Sequence, residues 1–231
     1  MPTPTPGSLT TGWPGYNGGY GYDAWTPLAD TGGGGTYMEG VGVNGRQTGL
    51  GNYSFALYSG SGSYDISRQL VNPISAGIFS VDTRFDVAGA GPNLVNIRAG
   101  NNTSSFGSGE LLSFGIVNGN ELSYTDGTGF HTLPSGEACG SVWAWTVDFN
   151  ALTGGYSLSV TNTGGGFAAI VSGNMEESGT SADSFAVINS STGNNQNVIF
   201  DYPEFEIVPE PSTLALIGMG LAGMLSSLRR K

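Results

Sequence analysis

Apolar and polar residues alternate with a period of two along most of the chain before residue 208. Phe79, Val81, Phe85 and Val87 fall on one side of an extended segment, and Asp82, Arg84 and Asp86 fall on the other. Leu112, Phe114 and Ile116 alternate with Ser113 and Gly115, and Leu122 and Tyr124 follow the hairpin dipeptide Asn118-Gly119. Trp143, Trp145, Val147 and Phe149 repeat the pattern, Thr153-Gly154-Gly155 turns the chain, and Tyr156, Leu158 and Val160 run back. Further strands are expected at 184–188, 197–202 and 204–207. A period of two is that of a strand with one face in a core. No segment before the last two dozen residues carries the helical period. Short strands parted by Gly and Asn turns predict an all-β sandwich over residues 20–207. Its length exceeds the roughly 100 residues of an immunoglobulin domain, so a jelly roll with two larger sheets fits better.

The pattern changes abruptly at Val208. Pro209-Glu210-Pro211 fixes an extended segment, because each proline locks its own φ and pushes the preceding residue out of the helical region. Ser212 and Thr213 suit the start of a helix. Leu214 to Leu228 is uncharged, and Arg229, Arg230 and Lys231 close the chain. Fifteen residues of helix reach about 22 Å, short of a roughly 30 Å hydrocarbon core, a gap that flanking residues and local thinning can close. Gly218, Gly220 and Gly223 are tolerated in membrane helices. The three terminal cations are expected to stay cytoplasmic, which leaves the rest of the chain outside. A C-terminal transmembrane helix is therefore predicted.

The run Val208-Pro209-Glu210-Pro211-Ser212-Thr213-Leu214, the glycine-spaced apolar stretch and the Arg-Arg-Lys end resemble the PEP-CTERM sorting signal of exopolysaccharide-producing Gram-negative bacteria. The resemblance implies recognition by an exosortase, a membrane cysteine transpeptidase, with cleavage near Pro209, Glu210 and Pro211. It implies an inner-membrane-tethered intermediate, followed by a cell-surface or extracellular product. The motif residues are then a substrate, not a catalyst. Such proteins begin with a signal peptide, but Met1 to Ala29 has neither a basic start nor an apolar run of about 7–15 residues. The leader is expected upstream of Met1, through a start set too late or a leader left off the chain. Residues 1–19, opening Met1-Pro2-Thr3-Pro4-Thr5-Pro6, read as an extended Pro/Gly-rich linker. The strand layout, with Gly21-Tyr22-Asp23-Ala24-Trp25 and Gly154-Gly155-Tyr156-Ser157-Leu158, is similar to concanavalin-like lectin and glucanase domains.

Composition narrows the choice of functions. The chain holds 40 glycines among 231 residues, yet it is 38% hydrophobic, enough for a core. Before residue 208 four arginines face seventeen acidic residues, a net charge of −13. That field excludes nucleic acid and anionic membranes as partners of the body. Cys139 is the single cysteine, which excludes an intrachain disulfide and a thiolate metal cage.

Candidate chemistry is sparse. Glucanases of the concanavalin-like group place carboxylates at every second strand position, about 5.5 Å apart in retaining enzymes. Glu204-Phe205-Glu206, with Asp201 before it, lacks the third acid of that spacing. Asp82 and Asp86 share a face with Arg84 between them, which reads as a charge ladder. His131 is the single histidine and reads as a loop residue; any triad would have to use it, and no Gly-x-Ser-x-Gly elbow accompanies it. Gly40-Val41-Gly42-Val43-Asn44-Gly45 spells a phosphate-loop pattern without the helix that such a loop needs. Calcium needs clustered oxygens, and Asp23 and Asp201 would supply them if the terminal strands pair; no other cofactor is expected. Tyr124 and His131 beside a glycine-rich loop, with Trp143, are the candidates for stacking on a sugar, although Trp143 and Trp145 have the apolar company of core residues. The expectation is a non-catalytic surface or extracellular protein of an exopolysaccharide matrix. A carbohydrate-binding lectin-like module and a secreted glycosidase are the alternatives.

Overall fold

The alternating segments become strands whose inward residues meet across two sheets. In this computed structural model, residues 22–30, 34–40, 53–59, 62–85, 92–100, 109–117, 120–136, 138–190 and 196–207 are described. The first sheet runs, in spatial order, β1 (Thr26–Asp30), β4 (Tyr64–Ile74), β13 (Ala182–Asn189), β6 (Asn93–Arg98), β7 (Glu110–Ile116), β8 (Leu122–Asp126) and β9 (Gly129–Thr132). The second runs β12 (Ala168–Asn174), β11 (Gly155–Asn162), β10 (Val142–Asn150), β5 (Ala76–Phe85), β14 (Gln196–Ile207), β3 (Tyr53–Ser59) and β2 (Gly35–Gly40). Every described strand pair is antiparallel.

The expected alternation sets the core. In β10, Trp143, Trp145, Val147 and Phe149 are buried while Thr146 and Asp148 are exposed. In β5, Phe79, Val81 and Phe85 point inward, and the inward position between Val81 and Phe85 is taken by Thr83. Its hydroxyl accepts a 2.8 Å hydrogen bond from the Trp145 indole, so a polar atom in the core is satisfied. Rings interlock between the sheets: Phe114 with Trp145 at 4.9 Å, Phe79 with Phe185 at 5.7 Å and Trp25 with Phe200 at 5.8 Å. These contacts lay β13 over β5, β7 over β10 and the residue just before β1 over β14. Aligned packing of this kind follows from two similarly twisted sheets.

β14 departs from expectation. The two late segments form one strand, with a register shift between Asp201 and Glu204. A bulge of this kind keeps pairing going while changing which residues face inward. The strand lies between β3 and β5, near the middle of its sheet.

The middle of the first sheet, β13, β6 and β7 with the start of β4, is buried on both faces. Leu94, Ala186 and Ile188 form a small outer cluster with Leu28 and Val117. Alongside them are the buried polar residues Ser67, Asn96, Arg98, Ser113 and Ser184. Glu110 accepts from Asn96 Nδ2 at 3.0 Å and from Ser113 Oγ at 3.1 Å, and it pairs across the strands with Arg98. Burial lowers the Arg98 pKa, while Glu110, Asp183 and Asp65 pull it back up.

Among the described residues no helix is long and apolar enough to cross a membrane. The expected linker at 1–19, the glycine run past Gly40, the Asn118-Gly119 turn and the tail at 208–231 lie outside the described residues.

Candidate functional site at the β8–β9 rim

The hairpin Ser123-Tyr124-Thr125-Asp126-Gly127-Thr128-Gly129-Phe130-His131-Thr132 forms one rim of the sandwich. Asp126 pairs with Gly129, so Gly127 and Thr128 make a two-residue connection. Asp at the first position and Gly at the last suit a turn of this kind. The Asp126 side chain fixes it further by accepting from Thr128 N at 2.9 Å, an Asx-type turn. With the register set, Tyr124 lies opposite His131. Their rings stack with centroids 4.7 Å apart and planes 21° from parallel. The two residues singled out in sequence are thus brought together.

Asp126 organises the rest. Its Oδ1 also accepts from the Thr128 hydroxyl at 2.7 Å and lies 3.1 Å from His131 Nε2. Its Oδ2 accepts from the Tyr156 hydroxyl, which reaches across from β11 at 2.7 Å. A Cβ on Gly173 of β12 would meet that same Oδ2 at 2.7 Å and the Tyr156 hydroxyl at 3.1 Å, so any side chain there would displace this bond. Burial works against the Asp126 carboxylate, yet the bonds from Thr128, Tyr156 and His131 outweigh it and hold the pKa at about 2. Burial, then the bond to Asp126, pushes the Tyr156 phenol up. Burial followed by the Asp126 charge raises Tyr124, against a bond with Tyr156. Nearby, partial burial and then the charges of Glu110, Glu177 and Asp126 lift the Glu176 carboxyl to about 7.

Asp, His and Thr together invite a reading as a nucleophile triad, but the connectivity opposes it. In a triad the acid holds one ring nitrogen and the nucleophile meets the other. Here Asp126 Oδ1 and Thr128 Oγ1 both lie against Nε2, at 3.1 Å and 2.9 Å. Thr128 gives its proton to Asp126, so Nε2 faces two acceptor oxygens as a donor and takes no proton from the hydroxyl. The cluster is a tie between the sheets rather than a proton relay.

The outer side of the hairpin is different. Phe130 is 52% exposed, one of the few large apolar side chains so displayed among the described residues. It lies opposite Thr125 and two residues from the exposed Thr132 on the same face. An open ring flanked by hydroxyls is a surface on which a sugar ring can stack and hydrogen-bond.

Trp143 is not at this rim. It is fully buried, its indole donates to Ala138 O at 2.8 Å, and its ring meets Phe167 edge-on. Its apolar β10 neighbours drew it inward, so it offers no face to a glycan. Asp23 and Asp201 do not share a ladder: Asp23 N–H donates to Gln69 O of β4, whereas Asp201 lies in β14, which pairs with β3 and β5. Asp23 lies beside Arg68, whose Nε donates to its carbonyl at 2.8 Å, and Asp201 faces Asp82 across the ladder. Among the described residues no group of three His, Cys, Asp or Glu side chains is gathered for a metal. Glu204 and Glu206 pair with Ser80 and Ile78, beyond the bulge that separates them from Asp201. Cys139 is half-buried against the core, with its N–H held by Asn120 Oδ1 at 2.7 Å. Sequence reasoning missed Asp126, Tyr156 and Phe130. The Asp126-Gly127 dipeptide was the available signal for the first.

The body is therefore an antiparallel two-sheet β-sandwich, and a short segment of different character follows it. Residues 208–231 match the family model described as the PEP-CTERM protein-sorting motif. This motif marks an exported protein of a Gram-negative bacterium that is targeted to an exosortase. No curated protein matches the chain in sequence. Among solved structures, peanut lectin with a nine-residue peptide is similar at 11% identity and a TM-score of 0.47, covering 80% of this chain and 99% of that one. Basic winged bean lectin with Tn-antigen gives 9% and 0.47, with coverages of 71% and 91%. The exoplasmic/lumenal domain of VIP36, in a form bound to calcium and Man3GlcNAc, gives 10% and 0.46, with coverages of 78% and 87%.

Proposed function

We propose that this chain is a non-catalytic protein of the cell surface or extracellular polysaccharide matrix, delivered there by its tail. The tail holds the exported sandwich at the inner membrane until an exosortase cuts near Pro209-Glu210-Pro211. The observation that carries this reading is the sorting motif directly behind the last strand. Support for a non-catalytic body comes from the single histidine, whose Nε2 is committed to Asp126 and Thr128. The test is expression of a tagged chain, with an export leader, in an exosortase-bearing host. A shortened product should appear outside the inner membrane. Glu210→Ala should leave the full-length chain in the inner-membrane fraction. An intact chain in the cytosol of the same cells would defeat the proposal.

A second reading, glycan binding, is favoured by Phe130 exposed between Thr125 and Thr132. Titration with oligosaccharides from the host's own exopolysaccharide should show binding that Phe130→Ala removes without change in the circular dichroism spectrum. Unaltered binding in that variant would move the site elsewhere.

A further inference from the structure

Among the described residues four large apolar side chains are exposed, and three of them, Val71, Phe130 and Leu152, stand at one end of the sandwich. Leu152 lies in the turn between β10 and β11, Phe130 is the second residue of β9, and Val71 precedes the turn from β4 into β5. Backbone bonds join these turns into one surface. Ala151 N donates to Ser75 O at 2.7 Å, and Gly179 N donates to Leu152 O at 3.0 Å. Met175 N donates to Gly154 O at 2.6 Å, and Gly127 N donates to Asn174 O at 2.9 Å. A bulge displays Val71. Gln69 pairs with Ser184 and Ile74 with Ala182, so β4 spends Leu70 to Pro73 where β13 spends Asp183 alone. The surplus residues bow out of the ladder, and Val71, Asn72 and Pro73 are exposed.

The chain leaves the fold at this same end. Ile207 pairs with Gly77, next to Ala76, which pairs with Asn150. Six residues, Val208 to Thr213, separate the strand from the apolar run that starts at Leu214. Fully extended they span about 20 Å. The headgroup layer takes up roughly 5–7 Å of that reach. The apolar run is shorter than a hydrocarbon core, which draws its flanking residues inward and shortens the leash again. A leash this short turns contact between this end and the bilayer into an intramolecular event at high effective concentration. A few side chains then make a contact that the sandwich loses once it is cut free.

Charge selects the kind of lipid. Glu176, Glu177 and Glu206 are exposed at this end, while Arg68 and Arg98 on the strands that lead to it are buried. Anionic headgroups are therefore repelled. Apolar side chains enter the boundary between headgroups and acyl chains by burying area, which needs no charge on the lipid. A zwitterionic surface is the one that fits.

We propose that the end of the sandwich from which the tail departs is a lipid-facing surface, with Val71, Phe130 and Leu152 seated in the headgroup layer of a zwitterionic bilayer while the chain is tethered. This rests on the reading of the tail given under the proposed function. Phe130 is then covered until the tail is cut, and scission uncovers the β8–β9 rim.

The test uses the full chain in a Cys139→Ser background, labelled with a fluorophore at one introduced cysteine. It is reconstituted into phosphatidylcholine vesicles that contain a lipid with a quencher on its headgroup. The label at Leu152→Cys should be quenched severalfold more than one at Thr161→Cys, an exposed site toward the far end of β11. Adding Val71→Ser and Phe130→Ser, both at exposed positions, should bring the Leu152→Cys signal down toward the Thr161→Cys level. Replacing part of the phosphatidylcholine with phosphatidylglycerol should weaken the quenching at low salt. A chain that floats with the vesicles but is quenched equally at both sites overturns the proposal and leaves the tail reading standing. Quenching at Leu152→Cys that ignores the two serines overturns it as well. Quenching that appears only with an exosortase in the vesicles overturns it in favour of a protein partner. A chain that does not float overturns the tail reading and this proposal together.

Discussion

Asp126 gathers hydrogen bonds from both sheets, and its chemistry makes the rim sensitive to acid. Its carboxyl is held at about 2, below an ordinary value of 3.8. A depressed folded pKa contributes stability that is complete above the ordinary value and is lost as pH falls through the folded one. Asp126→Asn is therefore expected to destabilise the fold at neutral pH by roughly 1.5–3 kcal/mol, the worth of hydrogen bonds to a charged group. The gap between variant and wild type should close between about pH 4 and pH 2. Urea unfolding at several pH values measures it, and a gap constant with pH would contradict the assignment. Glu176 has the opposite sign. Its carboxyl is raised to about 7, so its charge is disfavoured in the folded state. Stability should fall as pH climbs from about 4.5 to about 7 and stay lower above that. Glu176→Gln should raise the melting temperature at pH 8 and leave it unchanged at pH 4. Glu176 is exposed to water, which screens the repulsion, so the gain should stay below about 1 kcal/mol.

At the level of the strand, what could be read in advance depended on contrast between the two faces. β5, β10 and β11 each set one apolar face against one polar face, and all three were legible. β4 reads Tyr-Asp-Ile-Ser-Arg-Gln-Leu-Val-Asn-Pro-Ile, and its first five residues are buried on both faces, which blurs the period. β12 reads Ala-Ala-Ile-Val-Ser-Gly-Asn, with Ile170 outward and Val171 inward, so its two faces show little contrast. The rim was half legible. Tyr124 and His131 could be paired once a hairpin was assumed, whereas Tyr156 reaches Asp126 across 30 residues of sequence and from the other sheet. Such contacts are a property of sheet stacking, which local pattern does not encode. Trp143 shows the cost of reading residue type alone: apolar alternation had already assigned it to the core. Trp143→Ala should cost about 3–5 kcal/mol, as large-to-small changes in cores do. Phe130→Ala, at an exposed position, should change stability by less than about 0.5 kcal/mol. Thermal or urea unfolding of the pair distinguishes them, and equal losses would contradict the assigned burial.

For the whole molecule, charge and tail act in opposite directions. The acidic body avoids anionic lipid, while the uncharged run from Leu214 and its three terminal cations favour it. In a flotation assay with anionic vesicles, the full-length chain should float and the product cut near Pro209-Glu210-Pro211 should stay at the bottom. A cut product that still floats would mean that the sandwich itself carries a lipid-binding surface.

The tail leaves from an unusual point of attachment. Val208 continues directly from β14, which is bonded to β5 on one side and β3 on the other, and Ile207 is still paired with Gly77. The N–H of Phe205 is also pinned by the Tyr22 hydroxyl at 3.1 Å, a stitch to a residue 183 positions earlier. A pull along the tail therefore loads the β5 ladder first, in shear, and reaches the β3 ladder only at Phe200. A sandwich held from its own spine in this way, once tethered as proposed, would come free by scission of the leash sooner than by unravelling.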